Sequence, residues 1–404
     1  MEMRDFVVRF AGEGGQGVVT SAEGLAQAAT QVGYHAQTFA TFPSQIMGGP
    51  TWTQARIAVD PVLSAGDDVD VLVAFNQDAY DEHNSDVRDE GVIIFNSNEF
   101  QLEGDSRGFG LPFDELARST GNNRAANMVI IGALAHLVDM PQQYLEEFVT
   151  KRFTRGRSGD EEIIRSNIQA MTLGREHISE SGLALGALAA PNPPDFAQLM
   201  LKGNEALALG ALAGGLEFYV GYPISPATTI LLYMERNLVG EGKFAHQVSS
   251  EIESITAILG AGFAGKKAMT ATAGPGFSLM SEGLGLGWIA EIPLVVVDVQ
   301  RGGPATGLPT KTEQSDLMAC MFPAHGDVRM PIIAVGTVEE CFYGAIKALT
   351  WSERYQGPVI LMTEMALAER VQNIAKPDLS QVEDQRRQVY EGTNGYHRDR
   401  KSVV

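Results

Sequence analysis

Gly221-Tyr-Pro-Ile-Ser-Pro-Ala-Thr-Thr229 follows a short apolar stretch, Glu217 to Val220, and sets two prolines around Ser225. Proline fixes φ and has no N–H to donate, so neither Pro223 nor Pro226 fits inside a central strand or helix. Pro226 does fit the first turn of a helix, where the missing N–H costs nothing. The segment therefore reads as strand, rigid turn and helix start, with a hydroxyl held at the C-terminal end of a strand. In open α/β sheets that is where ligands bind. A plain Ser N-cap before Pro at the first helical position predicts the same local conformation.

On either side of this turn the pattern alternates strand with helix. Downstream, Ala268–Thr272, Leu294–Val299, Ile332–Val335 and Val359–Met362 read as strands. Upstream, Asp5–Ala11, His35–Ala40, Gln54–Val59, Val69–Phe75 and Gly91–Asn96 do the same, each bounded by Gly, Pro, Asp or Asn. Helical periodicity runs from Asn123 to Val138 and from Asp160 to His177. The alternation predicts an α/β chain with two doubly wound, mostly parallel-sheet domains. We place the first over residues 1–185 and a proline-rich linker containing Ala190-Pro-Asn-Pro-Pro194 over 186–197. The second domain follows over 198–375, and 376–404 is a linker or the start of a further domain.

The 404 residues carry a formal charge of −20, with 50 acidic against 30 basic side chains. That balance argues against non-specific binding to nucleic acid or an anionic membrane. Anionic substrates must then be met by local positive sites such as Arg301 or helix N-termini. Cys320 and Cys341 are too few for a disulfide framework or a four-thiolate cluster. The N-terminus lacks the apolar core of a signal peptide, and the run Met128–Val138 is too short to span a bilayer. A cytoplasmic protein without a membrane span is expected.

Three further segments share the placement of the Pro223–Pro226 turn, at strand ends or helix entrances. They are Gln247-Val-Ser-Ser-Glu-Ile-Glu-Ser254, Thr270-Ala-Thr-Ala-Gly-Pro-Gly-Phe-Ser278 and Gln300-Arg-Gly-Gly-Pro-Ala-Thr-Gly-Leu-Pro309. In order and spacing the set resembles the α subunit of the 2-oxoacid:ferredoxin oxidoreductases, over about residues 200–370. The resemblance implies thiamine diphosphate chemistry, decarboxylation of a 2-oxoacid, electron transfer to ferredoxin and formation of an acyl-CoA. It makes the second domain of the thiamine diphosphate pyrimidine-binding type.

Near the N-terminus, Gly12-Glu-Gly-Gly-Gln-Gly17 lies after a strand and before a helix. Glycines allow positive φ and let backbone N–H groups approach a phosphate at a helix N-terminus. A tight turn needing glycine only for packing fits the same residues. A nicotinamide fingerprint would need an acid at the end of the next strand, where Thr41-Phe-Pro-Ser44 stands instead. With Ser44-Gln-Ile-Met-Gly-Gly49, the loop resembles the family's γ domain, which some members fuse ahead of the α domain. Met47 stands where members often have arginine. The resemblance implies that Gly12, Gly14, Gly15, Gln16 and Gly17 lie on the coenzyme A side.

Thiamine chemistry needs a carboxylate to share a proton with N1′ of the aminopyrimidine. Glu251 opens an otherwise apolar helix, Glu251 to Ala261, and the resemblance gives it this role, with Glu253 as the alternative. Both acids would also complement a positive helix end. Arg301 offers a planar fork for the carboxylate of a 2-oxoacid; a surface arginine is the other reading. Ser225 stands where the family usually has threonine and keeps the hydroxyl. Thr306 is expected to bind substrate, with Lys311 beside it. Tyr222, Pro223, Ile224, Thr272, Gly274 and Phe277 are placed on the pyrimidine side of the cofactor.

No Gly-Asp-Gly with a paired Asn and no cysteine quartet occurs. The Mg²⁺–pyrophosphate site and a 4Fe-4S cluster are therefore expected on a partner β subunit, in a dimer of αβ heterodimers that reduces ferredoxin. The favoured substrate is 2-oxoglutarate, converted to succinyl-CoA, because fused γ–α chains with Gly303 to Glu313 as they stand resemble that branch. Pyruvate and branched-chain 2-oxoacids are alternatives. So are a nicotinamide-dependent dehydrogenase and a non-catalytic nucleotide- or acyl-CoA-binding regulatory subunit.

Overall fold

The computed structural model describes residues 2–41, 48–192, 196–382 and 386–387. The first half of the chain supplies β1 (Asp5–Glu13), β2 (His35–Thr41), β3 (Pro50–Ala58), β4 (Val69–Ala74), β5 (Val87–Asn96) and β6 (Gly108–Leu111). The second half supplies β7 (Gln198–Lys202), β8 (Phe218–Gly221), β9 (Phe244–Gln247) and β10 (Ala268–Thr272). Then come β11 (Leu294–Gln300), β12 (Ile332–Ala334), β13 (Pro358–Glu364) and β14 (Val371–Ala375).

The later strands form a six-stranded sheet in the order β9-β8-β10-β11-β13-β12, parallel throughout. Its centre, Leu294-Val-Val-Val-Asp-Val-Gln300, is buried along its whole length, as a strand covered by helices on both faces must be. The earlier strands form an eight-stranded sheet, β6-β5-β4-β1-β3-β2-β14-β7. Half of it, β6 to β1, is parallel as expected. From β1 outward through β3, β2, β14 and β7 the pairings turn antiparallel.

That antiparallel extension joins the two halves of the chain. β7 and β14 bracket the second domain in sequence, yet both lie on the edge of the first domain's sheet. Val371 and Gln372 pair with Thr38 and Gln37. Asn373 Oδ1 accepts from Ala36 N–H at 3.0 Å, and Lys202 Nζ lies 3.1 Å from Glu23 and 3.6 Å from Glu369. The stretch assigned to a linker is also partly bound: Ala187–Leu188 pairs in parallel with Glu2–Met3. Residues 193–195 of it, and 383–385 and 388–404 of the C-terminal segment, lie outside the described residues.

Two helices of the first domain meet backbone to backbone. A Cβ on Gly132 of Ala126–Leu137 would sit 1.9 Å from Met171 O, and one on Gly174 of Asp160–Ser179 would sit 1.9 Å from Val129 O. β6, β9 and the helices Gln77–His83, Phe113–Ser119 and Gln142–Phe153 were not expected from the sequence. β9 reads Phe-Ala-His-Gln at a sheet edge and is largely exposed, so it carries no buried-strand signature. Pro226 is not the first helical residue. The helix starts at Thr228 with Ala227 as N-cap, and the Ser225–Pro226 peptide bond is cis.

Candidate functional site

The C-terminal ends of β8, β10 and β11 lie side by side, and each runs into one of the singled-out segments. After β8 the Tyr222–Pro226 turn is fixed from behind by Asn204, which is buried. Its Nδ2 donates to Pro226 O at 3.0 Å and to Thr229 Oγ1 at 2.7 Å. Tyr222 and Ser225 are exposed at this turn; Pro223 and Ile224 are half-buried.

After β11 comes Arg301, only 6% exposed. Its Nη1 donates to Ser225 O at 2.7 Å, tying this segment to the turn after β8. Its Nε is buried and has no hydrogen-bond partner among the described residues. Burial lowers the guanidinium's pKa, and the nearby Glu251 carboxylate opposes that shift. A buried charged donor without an acceptor is costly, and a ligand carboxylate or carbonyl oxygen would relieve it.

Glu251 is the first residue of the helix Glu251–Phe263 and is buried. Its side chain leans on the turn after β10. A Cβ on Gly276 would lie 2.1 Å from Thr272 Oγ1 and 2.5 Å from Glu251 Oε1. Only glycine leaves that space to the carboxylate. Glu253 is exposed and accepts from Ser249 N–H at 2.8 Å and Ser249 Oγ at 2.6 Å, which holds its carboxyl below its usual value. It closes the helix entrance, and of the two acids Glu251 is the one beside Arg301.

Other predicted residues are distributed differently. Thr272 is fully buried beside Glu251, and Gly274 opens the short helix Gly274–Leu279. Phe277 is packed in the apolar core with Ile255, Met280 and Leu284, so its ring supports the turn from below. The segment Gly302–Glu313 is a loop closed by a Gly302–Leu308 bridge, by Gly302 N–H to Lys311 O at 2.7 Å and by Gly303 N–H to Glu313 Oε2 at 2.9 Å. Thr306 and Lys311 are exposed on it.

Asp298 and Asp316 were not singled out in the sequence, and Cys320 was weighed there only as one of two thiols. Asp298 lies inside β11, fully buried, and burial followed by the charge of Asp316 pushes its carboxyl up to about 8. Cys320 Sγ donates to Asp298 Oδ2 at 3.5 Å. An aspartate within a Val-rich strand is the one signal that pointed there.

In the first domain the glycine turn precedes the helix Val18–Gln31, and Gly15 and Gly17 have φ of 102° and 91°. Gly12 is required by crowding, since its Cβ would lie 2.6 Å from Gln16 Oε1 and 2.8 Å from Phe75 Cβ. Gln16 is exposed and folds back over the turn, where its Oε1 accepts from Glu13 N–H at 2.7 Å. Its own N–H is spent on Glu13 O, and that of Gly14 on Gly49 O. Gly15 is exposed and Gly17 half-buried, just before the helix start. An adjoining cavity of ≈ 190 Å³ is lined by Glu13, Asp78 and Glu82, a set of charges that repels phosphates. Met47 lies outside the described residues.

Comparison with known proteins bears on both halves. Residues 7–177 match the family model for pyruvate ferredoxin/flavodoxin oxidoreductase, and 209–403 match that for its thiamine diphosphate-binding domain. The 2-oxoglutarate oxidoreductase subunit KorA of Mycobacterium tuberculosis is 32% identical over 94% of this chain and 63% of its own. The 2-oxoglutarate synthase subunit KorA of Methanocaldococcus jannaschii is 46% identical over 41% of this chain and 45% of its own. Among solved structures, the 2-oxoglutarate:ferredoxin oxidoreductase of Magnetococcus marinus, with 2-oxoglutarate, coenzyme A and succinyl-CoA bound, superposes with a TM-score of 0.91. It is 35% identical, over 98% of this chain and 69% of that one. The chain thus spans about two thirds or less of the length of these relatives.

Proposed function

The chain belongs to the pyruvate/2-oxoacid:ferredoxin oxidoreductase family, and from that premise we propose that it is a fused γ–α subunit acting on 2-oxoglutarate. The reaction is oxidative decarboxylation to succinyl-CoA with reduction of ferredoxin. The observation that carries this reading is the position of Arg301. It is buried between Glu251 and the Ser225 turn, with Nε still seeking an acceptor. The named substrates of the relatives favour 2-oxoglutarate over pyruvate.

The residues fit the pyrimidine half of thiamine diphosphate. A buried carboxylate stands at a helix entrance, and the Gly276 turn beside it is a cradle that a single Cβ would fill. When bound, that cofactor supplies the nucleophile and electron sink that decarboxylation needs. Glu251 holds a proton at N1′ of the aminopyrimidine. Arg301 fixes the substrate carboxylate, and its bond to Ser225 O keeps the Ser225 hydroxyl at the same entrance. Thr272 and Gly274 shape the floor, and Tyr222, Pro223 and Ile224 form the wall after β8.

The rest of the centre belongs to a β-type partner. Cys320 and Cys341 are buried far apart in sequence, and burial pushes both thiols up, Cys341 to about 12. A 4Fe-4S cluster takes four thiolates and the sequence holds two cysteines and no Gly-Asp-Gly with a paired Asn, so the cluster and the Mg²⁺–pyrophosphate site fall to the partner. Exposed Ile252, Phe263, Leu286 and Ile289 on the helices Glu251–Phe263 and Ser281–Ile289 give it an apolar face to cover. Coenzyme A is expected from the Gly15–Gly17 side. Among the described residues no helix is long and apolar enough to cross a membrane.

The test is to co-purify the chain with its β-type partner and to measure ferredoxin reduction with CoA and either 2-oxoglutarate or pyruvate. A higher kcat/KM for 2-oxoglutarate is expected. Equal or greater use of pyruvate would overturn the substrate assignment, and inertness towards every 2-oxoacid would overturn the activity.

A further inference from the structure

Two halves of the site are built on different strands. The Glu251 half rests on the turn after β10, Thr272 to Gly276. The Arg301 half hangs from the end of β11 and the loop beyond it. Asp316 lies across the two. Its carboxyl covers Gly274, where an added Cβ would meet Oδ2 at 2.7 Å and Cγ at 3.0 Å. Its N–H donates at 3.1 Å to Oε1 of Gln300, the residue before Arg301. Gln300 is held in turn by Nε2 donating to Thr363 O at 3.2 Å on β13.

We propose that Asp316 is a positioning residue that locks the Glu251 half of the site to the Arg301 half, and that buried Asp298 controls whether the lock holds. This rests on the reading of the Arg301 site given above. Asp316 Oδ2 and Asp298 Oδ1 are both buried without a hydrogen-bond partner among the described residues. Cys320 joins the two residues, its Sγ donating to Asp298 Oδ2 at 3.5 Å and its N–H to Asp316 O at 2.9 Å, and neighbouring carboxyls held from water cannot both ionise cheaply. Burial raises Asp298 and Asp316 alike, Asp298 more strongly through the charge of Asp316, and Glu313 adds to the rise at Asp316. From the helix Leu317–Met321 the titratable neighbour is Cys320. On the flanking strands the residues in register with Asp298 are uncharged Thr272 and Met362.

A neutral Asp298 lets a charged Asp316 stay seated over Gly274. When Asp298 ionises, as pH rises through about 8, two anions face each other and Asp316 is pushed off. The loop then loses its tie to the turn, and Arg301 loses its fixed bearing on the substrate. The substrate site should therefore loosen on the alkaline side while the chain stays folded.

The experiment uses the assembled complex with its β-type partner and the variants Asp316→Ala, Asp316→Asn, Asp298→Asn and Gly274→Ala. Two quantities are read: KM against kcat for the 2-oxoacid across pH, and amide hydrogen exchange in the peptide spanning Gly302 and Gly303. Asp316→Ala should raise KM about tenfold with kcat little changed, and speed exchange in that peptide by about tenfold. Asp316→Asn, which keeps the side-chain shape over Gly274, should restore both. Asp298→Asn should remove the alkaline rise in KM. Gly274→Ala displaces the Asp316 carboxyl without touching any charge, and should reproduce the faster exchange of Asp316→Ala even if that variant fails to assemble. Wild-type KM in Asp316→Ala, with wild-type protection in both Asp316→Ala and Gly274→Ala, would overturn the proposal. So would equal damage in Asp316→Ala and Asp316→Asn with protection lost throughout the chain. A complex inert towards every 2-oxoacid, yet with the exchange response intact, would sink the assigned activity and leave the lock standing.

Discussion

A covered guanidinium must find acceptors for its five donors, and Arg301 finds one at Ser225 O while Nε is left over. Arg301→Lys keeps the charge but loses the fork. We expect KM for the 2-oxoacid to rise and kcat/KM to fall by roughly 2–4 kcal/mol of transition-state binding. Steady-state kinetics showing an unchanged KM would remove Arg301 from the substrate site. Glu251→Gln should leave the complex assembled and lower kcat by about 10²-fold or more, since an amide cannot share the N1′ proton. Wild-type turnover would take Glu251 out of the chemistry. Asp298 gives a separate signature in stability. Its folded value near 8 lies far above that of an unfolded carboxyl, so folding binds a proton between the two. Stability should decline as pH rises from about 4 towards 8 and level off above. Melting temperatures of Asp298→Asn should lack that decline; parallel curves for the two proteins would refute it. At this scale the sequence drew notice to Glu251 and Arg301, because Glu251 opens an otherwise apolar helix and Arg301 follows an apolar strand and meets a glycine–proline turn. Asn204, Asp298 and Asp316 act through contacts 16 to 25 residues away in the chain, and no local pattern marks such pairs.

Between elements, backbone proximity decides what is allowed. Gly276→Ala should abolish activity while the fold persists, because the methyl can enter only by displacing Glu251 or Thr272. Thermal unfolding would report the fold and ferredoxin reduction the site; an active Gly276→Ala enzyme would refute the cradle. Asn204→Ala should destabilise the chain by about 1–3 kcal/mol by orphaning buried Pro226 O, read as a lowered melting temperature. Parallel strands of the second sheet were legible because covered strands are apolar on both faces, as Leu294 to Val297 are. β9 and β6 escaped because an edge strand with few apolar residues resembles a loop. The Pro226 turn was read as a helix start two residues early, since proline's preference for that position says nothing of the Asn204 contact that sets the turn.

For the molecule as a whole, an active site of two halves implies dependence on a partner. Expressed alone, the chain should be colourless, contain no iron by metal analysis and bind thiamine diphosphate weakly by calorimetry. Tight binding by the isolated chain would show that the site is complete within it. The two-domain α/β plan was legible from alternation, but the antiparallel join was not, because strand pairing across distant segments leaves no periodic trace. β14 is the last strand of the second domain and the neighbour of β2 in the first. The order of synthesis then matters. As the chain leaves the ribosome, the edge at His35–Thr41 is made early and must wait for Val371–Ala375 before it is capped. Unpaired edges invite wrong partners, so the nascent chain passes most of its synthesis with an open flank. Its yield in a cell should respond to chaperone supply and to translation speed more sharply than the finished fold's stability would suggest.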